Sequence, residues 1–189
     1  MLSLSGLSVA IQAVEILRGV SMDVPAGSMC GLIGRNGAGK TTLMRAVMGL
    51  LPAKQGSLAF GRRDLLRTPA YARAALGIGY MPEDRRLIPD LSVEENLFMP
   101  AWANAVPDLA ARAQRVYEAI PELREFTGRR ASQLSGGQQK LVALGRALMS
   151  GTSLLLLDEP FEGVAPALCQ RLIDVVESLK RQGLTVLLS

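Results

Sequence analysis

The sequence predicts an α/β domain built on a largely parallel sheet. Apolar runs of strand length fall at residues 29–33, 78–81, 154–157 and 184–188, and segments of helical period lie between them. Turns rich in glycine and proline separate the two kinds of segment. Strands alternating with helices favour parallel pairing, because a crossover helix covers the face of the sheet it returns over. The 189 residues, 49% of them hydrophobic, suffice for one domain with a core and exclude wholesale disorder.

Along the chain, residues 2–10 and 20–24 read as short strands, with Pro25-Ala26-Gly27-Ser28 as the turn to the next. The run at 29–33 ends abruptly in glycines, and residues 41–51 then carry Leu43, Met44, Val47 and Met48 at helical spacing. Residues 56–60 form a further strand. From 84 to 150 the pattern turns helical, with candidates at 93–98, 108–120 and 137–149, and with Pro89, Pro100, Pro107 and Pro121 as breaks. This segment reads as a helical subdomain inserted between sheet-forming halves at 1–83 and 151–189. Pro166 opens the last helix, whose stripe is Leu168, Leu172, Val175 and Leu179 and whose C-terminal cap is Gly183.

Composition narrows the partners. The net charge of +4 is mostly scattered arginine, and aromatics are only 4%, so no nucleic-acid partner is expected. Two isolated cysteines, Cys30 and Cys169, suit neither a disulfide framework nor a zinc site, and the absence of histidine removes imidazole bases. No apolar run approaches the roughly 18 residues of a membrane span, and no secretory signal is readable, which predicts an intracellular protein.

The chemistry concentrates in three motifs. Gly34-Arg35-Asn36-Gly37-Ala38-Gly39-Lys40-Thr41 fits the phosphate-binding pattern G-x-x-x-x-G-K-[ST]. Its glycines turn backbone N–H groups toward phosphate oxygens, and the following helix adds its positive end. Lys40 then reaches the β- and γ-phosphates of ATP, Thr41 ligates Mg²⁺, and Thr42 completes the nucleotide-binding set. A ligand-free glycine-rich turn is the plainer alternative. The second motif is the apolar run at 154–157 ending in Asp158 and Glu159. At the carboxyl edge of a parallel sheet these become a Mg²⁺ support and a catalytic group that polarises water; alone they are two solvated acids. The third is Leu134-Ser135-Gly136-Gly137-Gln138, a second glycine-rich loop at a helix start, suited to an anion.

That pentapeptide, between a phosphate loop and an acidic strand end, resembles the signature of ATP-binding cassette (ABC) ATPases. The resemblance covers essentially the whole chain. It implies a P-loop NTPase (RecA-like) core with an antiparallel β subdomain and an inserted α-helical subdomain. It also implies a head-to-tail pair of ATPase subunits, identical or different, in which Ser135, Gly136, Gly137 and Gln138 of one cap the ATP on Lys40 of the other. The segments 80–86 with 91–97, and Phe161-Glu162-Gly163-Val164-Ala165-Pro166, are similar to the Q-loop and D-loop regions of branched-chain amino-acid importer subunits, with urea importers as near relatives.

The sequence also departs from the family. Glu83 stands where the Q-loop glutamine is expected, as a Mg²⁺ ligand or as an exposed loop acid. Ala10 and Ile11 occupy the place of the adenine-stacking aromatic, where isoleucine offers apolar contact. The D-loop lacks its usual aspartate. The switch histidine is expected shortly after the last strand, where the sequence ends at Ser189; members run roughly 40–60 residues further, which implies a C-terminally truncated chain.

The resemblance thus implies an ATP-hydrolysing importer subunit. Its partners would be transmembrane permease subunits docked near residues 83–96 and, indirectly, a periplasmic or extracellular binding protein. Its place would be peripheral, at the cytoplasmic face of the cell membrane, and its task the uptake of branched-chain amino acids, urea or another small polar solute. Arg85 and Arg86 either line that docking groove or form a solvated face. Two other classes stand beside this one: a soluble ABC ATPase and a non-hydrolysing nucleotide-binding module. The repair and chromosome types of the former need a coiled-coil insertion, for which the roughly 50 residues between Glu83 and Leu134 show no heptads.

Overall fold

The computed structural model describes residues 1–104 and 108–189. Two four-stranded sheets share the chain. The first is antiparallel and holds β1 (Leu2–Ile11), β2 (Val14–Val24), β4 (Ala53–Phe60) and β5 (Arg63–Asp64) in the order β2-β1-β4-β5. The second is parallel, in the order β3-β8-β7-β6, from β3 (Met29–Gly31), β8 (Thr185–Leu188), β7 (Leu154–Leu157) and β6 (Ile78–Met81). The largely parallel single sheet read from alternation is therefore corrected. Every strand of the N-terminal ladder pairs antiparallel, as the resemblance implied.

β7 shows why its four leucines stand in a row. A strand sends successive side chains to opposite faces. Leu154 and Leu156 accordingly join the core with α1 (Lys40–Val47) and the antiparallel sheet. Leu155 and Leu157 join the other core, with α3 (Val93–Asn104), α5 (Gly136–Ser150) and α6 (Pro166–Arg181). All four leucines are fully buried. A strand covered on both faces loses the apolar–polar alternation of a half-exposed one.

The helices follow their caps. Ser92 opens α3 as a capping box: Glu95 N–H donates to Ser92 Oγ at 3.1 Å, and Ser92 N–H donates to Glu95 Oε2 at 2.7 Å. The helix then runs through Pro100, which corrects the expected break: Leu97 and Ala101 are buried in the helical core, and their packing outweighs the proline. Pro107 lies outside the described residues. α4 (Leu109–Ala119) leads into a 3₁₀ segment, Pro121–Phe126, opened by Pro121. α5 is buried continuously from Lys140 to Ser150, and at Gly145 an added Cβ would lie 2.8 Å from Leu97 and 2.9 Å from Leu123. α6 ends with Gly183 at φ +86°, one residue beyond the cap.

Other boundaries shift. The helix expected over 41–51 is α1, Lys40–Val47. β3 stops at Gly31, leaving Ile33 of the apolar run fully exposed. β2 starts at Val14 rather than residue 20, and α2 (Ala70–Ala75) was not anticipated. Arg73 of α2 is buried and donates to the carbonyls of Ala46 and Val47 at 2.8 and 2.7 Å, which caps the C-terminal end of α1.

Candidate nucleotide site

All the expected catalytic and phosphate-loop residues emerge from one edge of the parallel sheet. The glycine-rich loop follows β3, Glu83 follows β6, Asp158 and Glu159 follow β7, and Ser189 follows β8. Four parallel strands thus deliver their carboxyl ends to one place, where ligands of such sheets bind. A cavity of about 350 Å³ there is lined by Asn36, Gly37, Gly39, Lys40, Thr41 and Thr42, with Ile16, Glu83, Glu159 and Glu162 opposite.

The loop needs its glycines. Gly37 and Gly39 have φ of +81° and +100°, and a Cβ on Gly39 would lie 2.8 Å from Leu17 Cδ2. Ala38 N–H donates to the Arg35 carbonyl at 3.0 Å, which closes the turn. Lys40 Nζ donates to the carbonyls of Gly34 at 3.1 Å and Arg35 at 3.5 Å, and lies 3.4 Å from Glu159 Oε1.

Asp158 is fully buried, and both of its oxygens accept hydrogen bonds. Oδ1 accepts from Thr41 Oγ1 and from Ser189 Oγ, each at 3.1 Å, while Oδ2 accepts from the Tyr80 hydroxyl at 3.2 Å. Burial first, and then the Asp158 charge, push the Tyr80 phenol well above its ordinary value, so it stays a donor. Ser189 Oγ also accepts from Glu159 N–H at 3.0 Å, tying the two acids to the end of β8. Glu159 sits at φ +47°, a left-handed conformation uncommon outside glycine. A hydrogen bond from the Glu162 carboxyl, with the Lys40 ammonium beside it, holds Glu159 below the ordinary carboxylate range, and the same pairing raises Glu162.

The third motif is placed elsewhere. Ser135 caps α5: Gln138 N–H donates to Ser135 Oγ at 3.3 Å, and Ser135 N–H donates to Gln138 Oε1 at 3.0 Å. The Gly136 carbonyl accepts from Arg85 Nη1 at 3.2 Å, and Gly137 lies so near Leu168 that a Cβ would stand 2.5 Å from it. None of Ser135, Gly136, Gly137 and Gln138 lines the cavity around Lys40. The loop therefore faces a place other than the phosphate loop of its own chain.

Sequence reasoning missed Tyr80, Ser189, Lys140 and Glu162 as members of this neighbourhood. Ile16 supplies the apolar part of this cavity's lining, which does not include Ala10 or Ile11 from the expected place of the adenine-stacking aromatic. Tyr80 and Ser189 reach Asp158 across 78 and 31 residues of sequence, so no local pattern announces them. Lys140 did carry a signal, a cation at the head of a helical stretch whose other residues through Met149 are apolar or glycine except Arg146.

The glycine-rich loop between strand and helix, facing acids at the end of the next strand but one of the same parallel sheet, defines a P-loop nucleotide-binding protein. The comparisons refine that class. The ABC transporter family model matches residues 17–162. The high-affinity branched-chain amino acid transport ATP-binding protein BraG of Pseudomonas aeruginosa is 39% identical over 188 residues, covering 100% of this chain and 81% of BraG. The lipopolysaccharide export system ATP-binding protein LptB of Escherichia coli is 36% identical over 195 residues, covering 100% of this chain and 79% of LptB. Among solved structures, the ABC transporter cassette MJ1267 superposes with a TM-score of 0.82 at 30% identity, covering 100% of this chain and 80% of that one. The chain belongs to the ABC transporter family and is an ATP-binding ATPase subunit of that family.

Proposed function

We propose that this chain energises import of branched-chain amino acids, with each motif residue in a defined role. The observation that carries the site assignment is the shared cavity of Lys40, Thr41, Glu83 and Glu159, with Thr41 bonded to buried Asp158. Gly34, Arg35, Asn36, Gly37, Ala38 and Gly39 cradle the phosphates, with Thr42 beside them. Lys40 clamps their β and γ oxygens. In the arrangement described, the Lys40 ammonium leans on Glu159; phosphate oxygens compete for it and free that carboxylate to polarise water.

The donors available to a cation are Thr41 Oγ1, Asp158 and Glu83, all oxygen. That suits Mg²⁺, which takes one or two carboxylates and completes its shell with phosphates and water. When bound, Mg²⁺ would neutralise charge on the phosphates.

We read the signature loop, Ser135, Gly136, Gly137 and Gln138, as capping a nucleotide held by a second ATPase subunit; its place at a helix N-terminus outside the Lys40 cavity supports this reading. We read residues 84–150 as the helical subdomain that carries this loop and meets transmembrane permease subunits near Glu83 and Arg85. A binding protein would deliver the solute from the far side of the membrane. We place the subunit peripherally at the cytoplasmic face of the membrane, beside those permease subunits; among the described residues no helix is long and apolar enough to cross a membrane.

BraG, whose name specifies branched-chain amino acids, supports the solute; LptB supplies the rival outcome. The test is uptake of labelled leucine, isoleucine and valine by cells carrying this chain or its Glu159→Gln variant as their sole copy. Loss of uptake in the variant is expected. Unaltered uptake with an altered surface lipopolysaccharide would overturn the solute assignment and favour export.

A further inference from the structure

Lys140 is a lysine where a lysine is costly. It is 7% exposed, on the second turn of α5, and a buried ammonium persists only where its donors are met. An ammonium has three N–H donors. Here they go to three backbone carbonyls of one short segment: Glu159 at 3.2 Å, Pro160 at 3.1 Å, and Glu162. The segment bends back on itself, with Glu162 N–H donating to the Glu159 carbonyl at 3.3 Å, and the ammonium fills the concave side of that bend.

The residue so gripped is unusual. Glu159 holds φ +47°, which a side chain adopts at a cost unless its surroundings enforce it. Its N–H is held by Ser189 Oγ and its carbonyl by Lys140, so both of its peptide groups are fixed from outside the segment. The Glu159 carboxylate carried by that backbone lies 3.4 Å from Lys40 Nζ.

We propose that Lys140 is a positioning residue for ATP hydrolysis. It orients Glu159 through the backbone, and it joins that carboxylate to the Ser135–Gly137 loop at the head of the same helix. Lys140 does not itself line the cavity, and it reaches the lining only through the backbone carbonyls of Glu159 and Glu162. A shift of the α5 N-terminus, when its loop engages a nucleotide on a second subunit, is carried by Lys140 to the base of its own chain. Each site would then hydrolyse in step with the engagement of the other.

This inference rests on Glu159 as the water-polarising group, and the experiment separates the two. Steady-state Mg·ATP turnover, equilibrium ATP affinity and thermal melting are compared for wild type, Lys140→Met, Lys140→Arg and Glu159→Gln in the full chain. Lys140→Met keeps the stem and removes the donors. Its kcat is expected to fall at least tenfold while the ATP Kd stays within twofold of wild type. A kcat within twofold of wild type overturns the proposal, as does a loss matched by an equal rise in Kd. Should Lys140→Met fail to fold, Lys140→Arg carries the same test. A planar fork cannot meet three converging carbonyls as an ammonium does, so a severalfold lower kcat at wild-type Kd is expected, and wild-type kcat overturns the proposal. If Glu159→Gln itself turns over normally, the assignment of the base has failed, and Lys140 falls with it.

Discussion

The Lys40 ammonium and the Glu159 carboxylate stand 3.4 Å apart across the cavity they both line. One is placed to hold phosphate, the other to polarise water, and each is the other's nearest opposite charge. Glu159→Gln removes the base and loosens the competitor for Lys40. ATP turnover is expected to fall by about 100-fold or more, the usual worth of a general base, with ATP affinity unchanged or tighter. Single-turnover hydrolysis beside an equilibrium Kd checks both halves.

Ser135 tests whether the signature loop serves its own chain or another. Ser135→Ala removes the cap of α5 and should lower stability by about 1 kcal/mol, a melting shift of roughly 2–4 °C for a chain of this size. Because Ser135 lies outside the Lys40 cavity, ATP binding to a single chain should be untouched. Turnover that depends on protein concentration should be strongly reduced. Weakened binding to dilute protein would refute the placement.

Gly79 sits in β6 where α5 passes closest. A Cβ there would lie 2.1 Å from the Ala147 carbonyl oxygen and 2.8 Å from Gly151 Cα, both backbone atoms that cannot swing aside. Gly79→Ala should cost about 3 kcal/mol by overpacking, read as a lowered denaturant midpoint at unchanged slope. A midpoint at the wild-type value would mean the two elements are further apart.

Glu122 and Arg171 join the 3₁₀ segment to α6, with Arg171 Nη2 to Glu122 Oε2 at 3.0 Å. The Arg171 hydrogen bond holds Glu122 below its ordinary value of 4.5. A depressed carboxylate binds fewer protons folded than unfolded, so the pair's stabilisation is present above the unfolded value and is lost as pH falls through the folded one. The pair is partly exposed, so the effect is small and weakens in salt. The melting difference between wild type and Glu122→Gln should be present at pH 7, begin to shrink near pH 4.5 and be lost as pH falls further, through the depressed folded value. A difference that grows on acidification would reverse the sign.

Legibility varied with how local each signal is. The helix over 166–181 was readable because Pro166, the stripe at Leu172, Val175 and Leu179, and Gly183 are neighbours in sequence. In sequence only residues 20–24 read as this strand, with Gly19 as an interruption; in the fold Gly19 takes φ +62° and pairing with β1 carries β2 back to Val14. Pro100 was read as a break because its effect is local, whereas the packing of Leu97 and Ala101 that overrides it is not. α2 had a usable signal in Pro69 followed by four alanines within Ala70–Ala75, a proline start and strong helix formers.

By itself, then, the sequence determined the phosphate loop, the acidic strand end and the capped signature helix. Each is a contiguous pattern whose chemistry needs those residue types at that spacing. Tertiary structure alone decided the rest. It split the strands into two sheets, sent alternate leucines of β7 into different cores, and brought Tyr80, Thr41 and Ser189 onto the two oxygens of Asp158. It also turned Lys140 onto the carbonyls behind Glu159. The physical reason is the same throughout: a buried polar atom must find a partner, and that partner is set by which strands and helices lie side by side.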